Sequence, residues 1–163
     1  MEHYKEIAEY AAQLGAILTN KGITITTAES CTGGGVSYAL TDTPGSSAYI
    51  DRCFVTYSNQ AKHELLGVSQ QTLEQYGAVS EQTVLEMARG AQRVANAEVA
   101  IAVSGIAGPS GGSVEKPVGT VWFAIANTVS VHTFHQVFAG NRAEVRVQAI
   151  EFVLKNVIEI VNS

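Results

Sequence analysis

The chain has 163 residues, 46% of them hydrophobic and 15% charged, which suits one domain over residues 1–163 with a substantial core and excludes a disordered or solvating role. Ten lysines and arginines stand against 15 aspartates and glutamates, for a net charge of −5, and no basic run occurs. Nucleic-acid binding draws on clustered cations to displace counterions, so it is not expected.

Ile7, Tyr10, Ala11, Leu14, Ile17 and Leu18 recur at three- and four-residue steps and predict a first helix that ends near residues 20–22. A β-branched run over 23–28 predicts a strand, and a glycine-rich turn then leads into a short helix over 36–40. Pro44-Gly45 breaks that helix before a second strand at about 49–57. Ser58 is placed to cap a helix over 58–66, with a second short helix before Gly77. From Ser80 a longer helix should bury Val84, Met87, Ala88, Ala91, Val94 and Ala95. The continuous apolar run 99–103 reads as a strand covered on both faces. After the loop 105–117, segments 118–126 and 131–138 read as strands joined at Asn127-Thr128, and a helix over 141–161 closes the chain.

Strands alternating with helices produce parallel neighbours through right-handed crossovers, and two closely linked last strands add an antiparallel pair. The expected fold is α/β: a three-layer α/β/α sandwich on a mixed, mostly parallel sheet of about five strands. In such sheets ligands bind beyond the carboxyl ends of the parallel strands.

Four segments reach that edge. The first strand runs into TAESCTGGG, residues 27–35, where Ser30 sits on a turn before a helix start. Thr32, Gly33 and Gly34 follow it, and N–H groups there can hold an oxyanion. Ser30 and Thr32 can also be helix caps and nothing more. Cys31 competes as a nucleophile but equally packs as a small apolar side chain, and the serine is preferred. VTYSNQAK, residues 55–62, supplies Tyr57 and Lys62. A serine hydroxyl needs a base, and a desolvated lysine can stand in for histidine, so Lys62 is the candidate base and Tyr57 a proton relay or oxyanion donor. A surface position is the plainer alternative for the lysine.

The third strand opens into a loop holding Ser104, Gly105, Gly108, Gly111 and Gly112, whose backbone amides can line a ligand pocket. It carries neither GxGxxG nor GxxxxGK[ST], and a plain surface loop remains open. In GNRAEVR, residues 140–146, Asn141 and Glu144 form a near capping box. Arg142 and Arg146 lie close to that helix N-terminus, where the dipole opposes cations, so a phosphate or a carboxylate partner is expected beside them.

Cys31 and Cys53 are too few for a disulfide framework, lack zinc spacing and are expected to be reduced. His132 and His135 point to opposite faces of a strand and, with His3 and His63, make no metal site. No stretch is long and apolar enough to span a membrane, the first residues do not read as a signal peptide, and a cytoplasmic location is expected. Association into a homo-oligomer is also expected, since symmetric dimers are common among soluble enzymes.

Taken together, TAESCTGG, VTYSNQAK, VSGIAGPSGG with KPVGTV, and GNRAEVR resemble the C-terminal domain family of the competence/damage-inducible protein CinA, over nearly the whole chain. Arg52-Cys53, before Phe54, departs from the small residues of that strand in the family. The resemblance implies hydrolysis of the carboxamide of nicotinamide mononucleotide to nicotinate mononucleotide and ammonia, with no cofactor or metal. It places the family's serine on Ser30, and its tyrosine and lysine on Tyr57 and Lys62. The remaining alternatives are a non-catalytic nucleotide-binding or regulatory domain, and an amidase whose substrate lacks phosphate.

Overall fold

Large and small side chains alternate along the central strands and assign each face of the sheet its helices. A computed structural model describes all 163 residues. Its strands are β1 (Ile25–Glu29), β2 (Phe54–Val55), β3 (Val99–Gly105), β4 (Thr120–Ala126) and β5 (Val131–Val137), in the spatial order β2-β1-β3-β4-β5. β1 pairs parallel with β2 and β3, whereas β4 is antiparallel to both β3 and β5. Only β4 therefore runs against the rest, and the expected mixed, mostly parallel sheet is present. The helices are α1 (Glu2–Lys21), α2 (Gly35–Thr41), α3 (Asn59–Leu66), α4 (Gln70–Tyr76), α5 (Glu81–Ala95) and α6 (Arg142–Asn162).

Ile25, Val99, Ile101, Val103, Val121, Phe123 and Ile125 face one layer, where they pack with Leu14 and Leu18 of α1, Val36 and Leu40 of α2, and Val153 and Leu154 of α6. Their alternates Ala28, Ala100, Ala102, Ala124 and Ala126 face the other layer, against Val84, Met87, Ala88 and Ala91 of α5 and Leu66 of α3. A sheet face of alanines lets α5 lie close to the strands, which is how the two-residue period of a strand fixes helix placement. Gly90 takes this furthest: a Cβ there would overlap the carbonyl of Leu66 at the end of α3. No helix is long and apolar enough to cross a membrane.

Helix starts follow their caps. Ser58, Ser69 and Ser80 each accept a hydrogen bond from the N–H three residues on, and Asn141 with Glu144 completes a capping box. Two expectations are corrected. The second strand is far shorter than 49–57: residues 46–48 form a 3-10 turn, Ile50 makes a lone bridge to Ile25, and the ladder holds only Phe54 and Val55. Between them the Thr26 hydroxyl, not a backbone N–H, binds the Arg52 carbonyl at 2.9 Å, so the edge is tied by a side chain. Val94 is 41% exposed, because α5 ends one residue later as Asn96 turns into the left-handed region; Thr83 and Gly90 are buried on that helix instead.

Candidate active site

β1, β2 and β3 end at one edge of the sheet, and the start of α6 and the link between α4 and α5 lie beside them, so five separate segments line one cleft of about 280 Å³. This is the crevice that parallel topology creates. Its floor is a serine and a lysine. Ser30, the first residue past β1, is 8% exposed, and its N–H donates to the Val103 carbonyl at 2.9 Å. Lys62, one turn into α3, is 1% exposed and its Nζ stands 3.2 Å from Ser30 Oγ. The same Nζ donates to the carbonyl of Thr56 at 2.8 Å and lies 3.5 Å from that of Tyr57.

No carboxylate pairs with this buried amine, and burial brings its pKa down from 10.5 to about 8. At neutral pH about a tenth of it is then the free amine, about 300-fold more than for an ordinary lysine. A neutral amine at this distance can accept the serine proton. Cys31 also reaches the cleft, but burial foremost, and the Glu29 charge after it, push its thiol up to about 12. Such a thiol stays protonated, so the hydroxyl is the competent nucleophile of the two.

Of the expected residues, Ser30, Tyr57, Lys62, Ser104, Gly105, Gly108, Gly111 and Arg142 line the cleft. Arg142 closes its mouth, donating from Nη1 to the Gly108 carbonyl at 2.7 Å and from Nη2 to the Tyr57 hydroxyl at 2.9 Å. Tyr57 is 60% exposed, and its hydroxyl is thereby held at the mouth; only its backbone carbonyl reaches Ser30 and Lys62.

Thr32, Gly33, Gly34, Gly112 and Arg146 do not line the cleft. The Thr32 hydroxyl donates to Glu29, the Gly33 N–H to the Ser30 carbonyl, and Gly34 forms the left-handed cap of α2. Arg146 donates to the carbonyls of Cys31 and Thr32 at 3.1 and 3.3 Å. Its compensating partners are therefore backbone carbonyls. The N–H groups of Cys31 and Thr32 make no hydrogen bond to another backbone carbonyl, and that of Cys31, next to Ser30 in the wall of the cleft, is available to an oxyanion formed there.

Ile106, Ala107 and Ser110 of the expected loop also line the wall, and Ala78 and Val79, which the sequence did not single out, complete it. Ala78 and Val79 lie between α4 and α5, where no polar signature marks them; the interrupted helix pattern around Gly77 is the one available signal.

The sequence model of the CinA C-terminal domain matches residues 7–161. A nicotinamide-nucleotide amidohydrolase PncC from Enterobacter agglomerans is 59% identical over 155 residues, 94% of each chain. The protein of the same name from Escherichia coli is 52% identical over 92% of each chain. Among solved structures, the competence/damage-inducible protein CihA from Agrobacterium tumefaciens superposes with a TM-score of 0.93 at 45% identity, covering 97% of this chain and 96% of that one. From residue 7 to residue 161, in sequence and in fold, the chain belongs to the CinA C-terminal domain family.

Proposed function

We propose that the chain hydrolyses the carboxamide of nicotinamide mononucleotide, giving nicotinate mononucleotide and ammonia, through a serine nucleophile and a lysine base. The observation that carries the reading is the buried amine of Lys62 at 3.2 Å from Ser30 Oγ on the floor of an open cleft. The names borne by the relatives supply the substrate.

Free Lys62 takes the Ser30 proton as Oγ bonds to the amide carbon, and the carbonyl oxygen gains negative charge facing the N–H of Cys31. When that intermediate collapses, the C–N bond breaks and the nitrogen takes the proton from Lys62, leaving as ammonia. An ester of Ser30 remains. Water gives a proton to Lys62 while attacking the ester, the C–O bond breaks as Ser30 takes that proton from Lys62, and the carboxylic acid product departs as carboxylate, its proton passing to solvent. Arg142 and the backbone amides within residues 107–111 take the phosphate; their place in the lining of the cleft supports this. Tyr57 assists there by holding Arg142.

Ammonia release from nicotinamide mononucleotide, nicotinamide riboside and nicotinamide, measured side by side, tests the reading. The nucleotide should be turned over best, and Ser30→Ala should lower kcat by about 10³-fold or more while the circular dichroism spectrum is unchanged. Tight nucleotide binding without ammonia would favour a non-catalytic domain. Faster release from the unphosphorylated amides would favour a different amidase.

A further inference from the structure

Glu29, the last residue of β1, is fully buried and immediately precedes the serine. Every partner of its carboxylate is a neutral donor, and the four nearest lie just ahead in the chain. Oε1 accepts from the Thr32 hydroxyl at 2.7 Å and the Val36 N–H at 2.8 Å. Oε2 accepts from the Ser37 N–H at 3.0 Å and the Ser37 hydroxyl at 2.5 Å, with the Thr27 hydroxyl further off at 3.4 Å. These bonds close residues 29–37 into a loop that contains Ser30.

Helix capping alone does not call for this arrangement. A serine or aspartate at the cap position would satisfy the first turn of α2 while staying near solvent, as Ser58, Ser69 and Ser80 do for other helices. The residue at that position is instead Gly34, which offers no side chain; the Gly35 N–H turns back to the Thr32 carbonyl, and the next two N–H groups of α2, those of Val36 and Ser37, are taken by a carboxylate from the preceding strand. Burying a carboxylate with no cation in contact is costly, and the return is a turn fixed at both its start and its end. From the opposite side Arg146 takes the two carbonyls that follow Ser30, those of Cys31 and Thr32. The Thr32 hydroxyl and the start of α2 thus bind an anion, while the Cys31 and Thr32 carbonyls bind a cation.

We propose that Glu29 is a positioning residue of the catalytic turn: its carboxylate, opposed by Arg146, holds Ser30 Oγ within reach of Lys62. The inference rests on the serine–lysine reading above. Glu29 touches no reacting atom. Its contribution is to keep the serine in attacking geometry, where a misplacement of about 1 Å can cost about 10²-fold in rate.

The test uses the whole chain, with a fluorophosphonate probe that forms a bond from Ser30 Oγ to phosphorus and expels fluoride. Titration with the probe counts folded, competent sites, and the rate per titrated site reports how well each serine is positioned. For Glu29→Gln, whose amide nitrogen would face donors, we expect a full or nearly full count of sites. The labelling rate and kcat per site should fall about 10²-fold, with KM for nicotinamide mononucleotide within about threefold of the parent. Thr32→Val, which removes one donor and keeps the carboxylate, should lose about three- to tenfold by the same measures, and it serves if Glu29→Gln does not fold. A loss of sites with an unchanged rate per site in the folding variants would make Glu29 merely structural and overturn the inference. Parent protein that turns over the nucleotide with Ser30 unlabelled and dispensable would overturn the serine–lysine reading itself, and this inference with it.

Discussion

At the scale of single residues, Lys62 sets activity against stability. Its ammonium is buried without a carboxylate, so the folded chain holds the proton less tightly than the unfolded chain, with a pKa of about 8 against 10.5. Between those values the unfolded state binds more protons, and stability must rise with pH across that window; below about pH 8 the full penalty persists. A shift of this size corresponds to at most about 3 kcal/mol. Lys62→Met, similar in length and uncharged, should therefore abolish turnover while raising stability at pH 7, and chemical denaturation at pH 7 and pH 10 should show the gain shrinking at the higher pH. A variant destabilised at pH 7 would contradict the assignment of a buried, unpaired ammonium. The parent enzyme's kcat/KM should rise with pH through about 8 as the amine is freed.

Ser30 and Lys62 were legible in the sequence because the first follows directly on the end of β1 and the second sits one turn into the helix that follows β2, and parallel strand ends share one edge. Glu29 and Arg146 were not. The partners of Glu29 are backbone N–H groups and hydroxyls, and those of Arg146 are carbonyls, so no pattern of residue types announces either. Arg146 was expected to meet an anion because charge is visible in a sequence whereas backbone orientation is not.

Secondary-structure elements were readable where burial imposes a period. The helices show it at 3.6 residues, and their caps fall at Ser58, Ser80 and Asn141 as expected. The second strand was overextended because an edge segment can look β-like and yet pair at only two positions, and its Asp51 and Arg52 bind each other in place of a neighbour. Contact between elements is set more finely than patterning reveals. Gly90 in the middle of α5 would be a weak point by helix propensity, but here it allows the helix to meet the end of α3, which carries Lys62. Gly90→Ala should therefore destabilise the protein by about 2 kcal/mol or more instead of gaining the usual propensity benefit, as a shift in denaturation midpoint would show. A stabilised variant would mean that the two helices can separate without cost.

Across the whole molecule, the alternation of large and alanine side chains in β1, β3 and β4 decides which layer lies close to the sheet, and this was implicit in the sequence without being read from it. The α5 side packs tightly and carries α3 with its lysine. The opposite layer brings α6 round so that Arg142 meets Tyr57 at the mouth of the cleft. The site is thus assembled from residues more than 100 positions apart, with the nucleophile and base at the floor and the cation at the rim. That division fits a substrate with an amide at one end and an anion at the other.

The most direct measurement is the mass of peptides from protein quenched in acid during turnover of nicotinamide mononucleotide. A nicotinate-mononucleotide ester should be found on Ser30, absent from Ser30→Ala and still present in Cys31→Ala. An adduct on Cys31, or undiminished turnover by Ser30→Ala, would contradict a serine nucleophile.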